Sequence, residues 1–363
     1  MNILILTGRF GMGHCSVAET LKQDIENNFG DTNTTVVDIF EYMAPNLCEV
    51  IYGGFKLLVN RGSKLYNFFY KKADQGDSYF ETLFIKQIAY KIDSLINEIK
   101  PSIIISTLPI CSKIISAYKE ITGSNIIFIT CITDISIHKE WVNPHTNIYI
   151  VASKKVKDNL ILRGIEEKNI LVSGIPVRKQ FKNIEILSRN TQKEKSLLIM
   201  GGGLGLIPAS KDFYKKINNI KNLKTTVIAG NNRSLYNKLY NKYENIKVVG
   251  YTNKVYKYMQ NADLIISKAG GVTLFETIYS ELPIMVICPF LEQEINNAHY
   301  IENMEIGKII WNKPNDMALE IENMINDTCT LEKIKSNMKF IKNSLDENKI
   351  LDVLNKVQMR SVS

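Results

Sequence analysis

Short apolar runs alternate with amphipathic helical stretches along the whole chain, and that alternation leaves few folds open. Ile3–Leu6, Thr35–Ile39, Ile103–Thr107 and Ile126–Ile132 read as strands. Between them come helical spacings such as Val17, Leu21 and Ile25 in the stretch from His14 to Phe29, and the amphipathic run Ile85–Ile99. A strand that is apolar on both faces needs cover on both sides, which a parallel sheet wrapped by helices supplies. The plan recurs in the second half, at Leu197–Met200, Thr226–Ala229, Ile246–Val249, Leu264–Ser267 and Ile284–Cys288. The polar, charged stretch Lys179–Lys195 divides the two halves. We therefore expect an α/β protein with domains at 1–178 and 196–330, a linker at 179–195, and one or two closing helices over 331–363.

Composition narrows the function classes. With 45% hydrophobic and 23% charged residues, 363 residues suffice for two ordinary globular cores. The net charge of +8 is mild, and no nucleic-acid partner is expected from it. Basic residues exceed acidic ones by one over 1–178 and by seven over the rest. That bias suits an anionic ligand such as a nucleotide diphosphate, or reflects a composition rich in Lys, Asn and Ile. The six cysteines are scattered, without a C-x-x-C pair, and there are four histidines, so no metal site is expected and the thiols read as core fillers of a reducing cytosol. The N-terminus enters a strand directly, so no leader is expected, and no run approaches the roughly 18–20 apolar residues that cross a bilayer. The chain is expected to be soluble or to lie on a membrane surface.

One segment departs from the pattern. Residues 46–72 mix Phe55, Tyr66, Phe68, Phe69 and several aliphatic side chains with Lys56, Arg61, Lys64, Lys71 and Lys72, against the single acid Glu49. Such a mixture suits an interfacial helix, with anionic headgroups adding about 1 kcal/mol per basic residue. It also suits a helical hairpin whose lysines snorkel over the core.

Five stations carry candidate chemistry. Thr7-Gly8-Arg9-Phe10-Gly11-Met12-Gly13-His14 places a histidine where a helix leaves the carboxyl edge of the sheet, as a general base or as a cap of backbone groups. Its glycines do not fit G-x-G-x-x-G, and no P-loop occurs. Thr130-Cys131-Ile132-Thr133-Asp134 ends a strand in an acid that either orients a reacting group or caps a turn, with Trp141 shortly after. Gly174-Ile175-Pro176-Val177-Arg178 ends in a cation able to reach a diphosphate. Gly201-Gly202-Gly203-Leu204-Gly205 is entropically costly unless something approaches its backbone closely. Ser267-Lys268-Ala269-Gly270-Gly271-Val272-Thr273-Leu274-Phe275-Glu276 turns from strand to helix, aiming free N–H groups and a helix dipole at one point, as a phosphate requires. Thr273-x-x-Glu276 also reads as a capping box with the acid on the first turn. Glu292-Gln293-Glu294 stands one βα unit later.

In this order and spacing the five stations resemble the glycosyltransferase family of monogalactosyldiacylglycerol synthases and bacterial processive diacylglycerol glucosyltransferases, over nearly the whole chain. The resemblance implies a GT-B fold, two Rossmann-like domains facing across a cleft, with the C-terminal helices returning to the first. It makes His14 the catalytic base and Asp134 the acid near the acceptor. Arg178 then touches the donor diphosphate, Gly201, Gly202 and Gly203 with Gly270, Gly271, Val272 and Thr273 supply phosphate-binding backbone, and Glu276 holds the uridine ribose. Gln293 reads the donor sugar and the Tyr251–Val255 region forms the uracil pocket. Residues 46–72 fall where the lipid synthases meet the membrane, so Phe55, Lys56, Arg61, Lys64, Tyr66, Phe68, Phe69 and Trp141 are expected on the acceptor or membrane side. Two departures stand out: Arg9-Phe10 and Met12 replace a glycine cluster, and Glu292 replaces a glycine beside Gln293. The resemblance implies metal-independent, inverting transfer of a hexose from a UDP-sugar to a lipid hydroxyl, without a cofactor, by a cytoplasmic enzyme peripheral on the inner face of the cell membrane, where anionic lipids would attract it. The alternatives are GlcNAc transfer to a polyprenyl-linked acceptor, transfer to a soluble acceptor, a UDP-GlcNAc epimerase and a non-catalytic nucleotide-sugar sensor.

Overall fold

Two six-stranded parallel sheets, one in each half of the chain, organise the computed structural model, which describes residues 1–61, 79–182, 194–203, 205, 207, 210–346 and 348–362. The chain divides into two units, Met1–Pro176 with Leu345–Ser363, and Val177–Ser344.

In the first unit β1 (Asn2–Thr7), β2 (Asn33–Asp38), β3 (Ile103–Ser106), β4 (Ile127–Cys131), β5 (Ile148–Val151) and β6 (Ile170–Val172) lie in the order β2-β1-β3-β4-β5-β6. Ile3, Leu4, Ile5 and Leu6 are all fully buried, because successive residues of a strand face opposite sides and both sides are covered. Each such side chain contributes roughly 1.5–3 kcal/mol of burial. The helix α1 (Gly13–Asn28) turns Val17, Leu21 and Ile25 inward. After β2 come α2 (Ile39–Met43) and α3 (Cys48–Arg61). The helices α4 (Tyr79–Ile99) and α5 (Pro109–Thr122) bury Ile92, Ile96, Cys111 and Ile115 in one cluster with Leu4, Leu6, Ile104 and Phe128. Proline opens α5 and Gly123, at φ +67°, ends it. The helix α6 (Lys154–Leu162) lies between β5 and β6.

The second unit begins with α7 (Lys179–Lys182), followed by β7 (Lys195–Met200), α8 (Lys211–Asn218), β8 (Leu223–Ile228), α9 (Arg233–Leu239), β9 (Ile246–Val249), α10 (Val255–Gln260) and β10 (Leu264–Ser267). Then come α11 (Gly271–Tyr279), β11 (Ile284–Ile287), α12 (Glu292–Asn303), β12 (Gly307–Ile310), α13 (Met317–Asn326) and α14 (Thr328–Ser344). Its sheet order is β12-β11-β10-β7-β8-β9. The helix α15 (Asn348–Val362) belongs to the first unit.

Several boundaries differ from those expected. The strand placed at Thr35–Ile39 ends at Asp38, which caps α2 by accepting the N–H groups of Phe40 and Glu41. The strands β5, β6 and β12 were not expected; β6 has only three residues, and β12 opens with Gly307 and Lys308 instead of an apolar run. The first boundary falls at 176 and the second at 344, since α14 buries Leu331, Ile334, Met338 and Ile341 within the second unit. The expected linker opens with α7, whose Phe181 is fully buried, and its residues 183–193 lie outside the described residues.

Each sheet has one topological switch point. From β1 the chain runs out to β2, then returns to the other side of β1 as β3; from β7 it runs out through β8 and β9, then returns beside β7 as β10. Ligands of open parallel sheets bind at the carboxyl ends of the strands flanking such a point. Those ends carry His14 and Thr107 in one unit, and Gly201–Gly205 and Lys268–Gly271 in the other.

Candidate functional site

At the first switch point His14 stands at the start of α1, and its ring is held from β3 and β4. Its Nδ1 lies 2.8 Å from the carbonyl oxygen of Thr107 and 2.9 Å from Oγ1 of Thr133. A carbonyl can only accept, so Nδ1 carries the hydrogen and Nε2 keeps the ring's lone pair. Thr107 is itself locked: its N–H donates to Leu6, and its hydroxyl donates to Thr7 Oγ1 at 2.9 Å. Burial holds the His14 pKa below its ordinary 6.5, with the charge of Asp134 and the Thr107 carbonyl opposing the shift. The imidazole is therefore neutral at pH 7 and able to take a proton at Nε2.

Asp134 follows β4 and is buried. Its Oδ2 accepts the indole N–H of Trp141 at 3.0 Å, a bond to a charged group worth roughly 1.5–3 kcal/mol. Trp141 was expected to face an acceptor or a membrane. Instead it is fully buried among Ile132, Tyr149, Val151, Val156 and Leu160, where it anchors Asp134, and its ring lies 6.5 Å, centroid to centroid, from that of His14. Phe55 is also turned inward, edge-on to Phe10 at 4.9 Å. Lys64, Tyr66, Phe68 and Phe69 lie outside the described residues, as do the side chains of Lys56 and Arg61.

At the second switch point α11 opens on Gly270, which has no side chain to cap the first N–H groups. The capping box is corrected by this geometry: Thr273 lies inside the helix, and Glu276 sits on the second turn, buried. Arg178 Nη2 approaches Glu276 Oε1 at 3.6 Å, while Nη1 donates to the Asn253 carbonyl at 2.7 Å. The guanidinium also stacks over Phe181, 5.1 Å from its centroid, so α7 serves to hold Arg178. Burial pushes the Glu276 carboxyl up to about 7, against the attraction of Arg178. Tyr251 is exposed in the loop after β9, two residues before Asn253, whose carbonyl Arg178 holds.

The glycine run after β7 is used partly for packing. A Cβ on Gly205 would stand 2.0 Å from the Ala229 carbonyl, and one on Gly230 would stand 2.7 Å from that of Gly203. These contacts between backbones explain Gly205, whereas Gly202, at φ +67°, admits the Lys268 stem at 3.3 Å from where its Cβ would be. Lys268 Nζ lies 3.5 Å from the buried carboxylate of Glu294. Asn297, fully buried, donates to the Ala269 carbonyl at 2.8 Å and so ties α12 to the glycine turn. Its Oδ1 and the Ser267 hydroxyl are buried without a hydrogen-bond partner among the described residues, two polar atoms waiting at the turn. Glu292 and Gln293 stand half-buried on the first turn of α12. Two cations, a helix N-terminus and two buried acids, Glu276 and Glu294, thus gather in the second unit, where an anionic ligand bearing hydroxyls would find both kinds of partner.

Sequence reasoning passed over Thr107, Lys268, Asn297 and Phe181. Thr107 carried one usable signal, a polar residue ending a buried strand; Asn297 lies within an unremarkable helical sequence.

Residues 14–177 match the monogalactosyldiacylglycerol (MGDG) synthase family, and residues 196–349 match the glycosyltransferase family 28 C-terminal domain. A processive diacylglycerol beta-glucosyltransferase of Staphylococcus epidermidis is 30% identical over 357 residues, covering 93% of this chain and 88% of that protein. One of Bacillus subtilis is 27% identical, covering 98% and 96%. Among solved structures, MurG of Acinetobacter baumannii superposes with a TM-score of 0.65 over 99% of both chains at 12% identity, a likeness of fold. The two sheets are those of the GT-B class. The chain belongs to the glycosyltransferase family that comprises the MGDG synthases and the processive diacylglycerol glucosyltransferases.

Proposed function

We propose that this enzyme transfers a hexose from a UDP-sugar to the free hydroxyl of diacylglycerol at a membrane surface, with inversion and without a metal. The observation that carries the proposal is the fixed tautomer of His14, whose Nδ1–H is committed to Thr107 and whose Nε2 is left as acceptor. His14 takes the hydroxyl proton as the acceptor oxygen attacks the anomeric carbon. The bond from that carbon to the diphosphate oxygen breaks, and UDP leaves with its electron pair. Negative charge then grows on the diphosphate, where Arg178, Lys268 and the open N-terminus of α11 offset it. Glu276 accepts the ribose hydroxyls, and Gln293 reads the sugar.

The lipid acceptor is supported by the relatives' named activity and by α3. On that helix Val50 and Leu57 are 70% and 56% exposed, seven residues apart and so on one side of it, and Leu47, in the turn just before it, is 58% exposed. An apolar stripe turned to solvent beside the acceptor unit's switch point suits insertion among acyl chains. No helix among the described residues is long and apolar enough to cross a membrane, so contact from one side is the mode we propose, on the inner face, where nucleotide sugars are supplied. Anionic lipids would strengthen that contact through the basic residues of 46–72.

The test offers UDP-glucose, UDP-galactose and UDP-GlcNAc on vesicles containing diacylglycerol, with products read by mass. A hexosyl-diacylglycerol from one of the first two supports the reading; product only with a polyprenyl-linked acceptor, or none with any lipid, overturns it.

A further inference from the structure

The geometry points to Tyr52 and Asp38 as positioning residues that latch α3 to the Gly8–Met12 loop, so that the helix offered to the lipid and the loop leading to His14 move as one piece. The inference rests on the lipid glycosyltransferase reading above. Asp38 ends β2 directly beside Thr7, the last residue of β1. Tyr52 donates its hydroxyl hydrogen to that carboxylate, 2.6 and 2.8 Å from its two oxygens, and accepts the backbone N–H of Arg9 at 3.0 Å. One hydroxyl thus joins three elements: β2 through Asp38, α3 through Tyr52, and the loop through Arg9.

Two further observations fit the latch. A Cβ on Gly8 would meet Leu108 at 3.0 Å, the Tyr52 hydroxyl at 3.3 Å and Phe40 at 3.4 Å, so the absence of a side chain there is what lets the tyrosine close on the loop. Phe10 packs edge-on against Phe40, Tyr52 and Phe55 at 4.8, 5.1 and 4.9 Å, with Tyr52 and Phe55 both on α3. Arg9 adds contacts of its own: its Nε reaches Asp38 at 3.3 Å, Nη1 reaches Glu49 at 3.2 Å, and the guanidinium lies over the Tyr52 ring. The outward side of α3 carries Val50 and Leu57, and its inward side is bolted to the segment that presents the base. This accounts for the Arg9-Phe10 departure from a glycine cluster: here the loop is held by side chains.

Tyr52→Phe removes the hydroxyl and keeps the ring. Tyr118→Phe is the control, because Tyr118 makes the same kind of bond to Asp93, at 3.1 Å, between α4 and α5 in the same unit. Arg9→Ala keeps the backbone N–H and so keeps the latch itself. The readouts are turnover on phosphatidylcholine vesicles carrying diacylglycerol, UDP affinity by calorimetry, and hydrogen exchange of the 8–13 peptide. For Tyr52→Phe we expect kcat to fall at least about tenfold, with UDP affinity held within about twofold and exchange in the loop accelerated. Tyr118→Phe should leave kcat and loop exchange within about twofold of the parent, and Arg9→Ala should cost less than about threefold in kcat. Unchanged loop exchange in Tyr52→Phe overturns the latch, as does a fall in UDP affinity in step with kcat, or an equal loss in Tyr118→Phe. A loosened loop in a protein that glycosylates no lipid leaves the latch standing and removes the lipid reading instead.

Discussion

Replacing Glu276 by Gln keeps the shape of the side chain and removes its charge, which isolates what a buried carboxylate does at the second switch point. Glu276 is 7% exposed, and its ion pair with Arg178 is long, at 3.6 Å. Burial outweighs that attraction and holds the carboxyl up at about 7. Ribose hydroxyls donating to the carboxylate favour its ionised form, and binding must therefore expel the proton. With a pKa of about 7, the group is ionised about one-tenth of the time at pH 6 and about nine-tenths at pH 8, so affinity should rise about tenfold, or about 1.4 kcal/mol, across that span. Affinity rises with pH because the deprotonated form is the one that binds. UDP-glucose is the proper ligand for the assay, since its diphosphate, esterified at both ends, does not titrate there while the terminal phosphate of UDP does. Calorimetry in two buffers of different ionisation enthalpy should count about half a proton released at pH 7. Glu276→Gln should bind more weakly at pH 8 and show no slope. A parent affinity that is flat or falling from pH 6 to 8 would refute the assignment of Glu276 to the ribose.

His14, with its pKa held below 6.5 by burial, should give kcat/KM an acid limb below that value, since the base works only when neutral. The same depression makes its contribution to stability complete above the unfolded pKa and lost as pH falls through the folded one; a limb above pH 7 would contradict the burial argument. Gly205→Ala forces a Cβ to within 2.0 Å of the Ala229 carbonyl at φ +62°, and should cost about 3 kcal/mol in denaturant unfolding of the second unit. Val50→Glu with Leu57→Glu should weaken vesicle co-sedimentation at least about tenfold, with Tm unmoved because both side chains are exposed; undiminished sedimentation would place the lipid contact elsewhere.

The two parallel sheets were legible in runs such as Ile3–Leu6 and Leu264–Ser267, because strands buried on both faces announce themselves by unbroken apolarity. A strand of three residues such as β6 carries too few positions for a pattern to emerge, and β12 begins with Gly307 and Lys308, which interrupt the apolar run. His14 and Asp134 were legible as candidates because they stand just past strand ends. Their partners were not: the Thr107 carbonyl is a backbone group that any residue could supply, and Trp141 looks alike in sequence whether it clasps an acid or faces a lipid. The capping box misled because Thr-x-x-Glu is a local pattern, while the helix cap falls three residues earlier, at Gly270. Lys268 and Asn297 act through contacts with α12 and the glycine turn, long-range in sequence, which single-residue reasoning does not reach.

What remains decisive is whether the imidazole beside Thr107 performs the proton transfer. Follow labelled hexose from its nucleotide carrier into lipid, for the parent and His14→Ala side by side, with carrier affinity measured on both. The account requires lipid labelling to drop about a hundredfold or more while affinity stays within about twofold; equal labelling by the two proteins would contradict it.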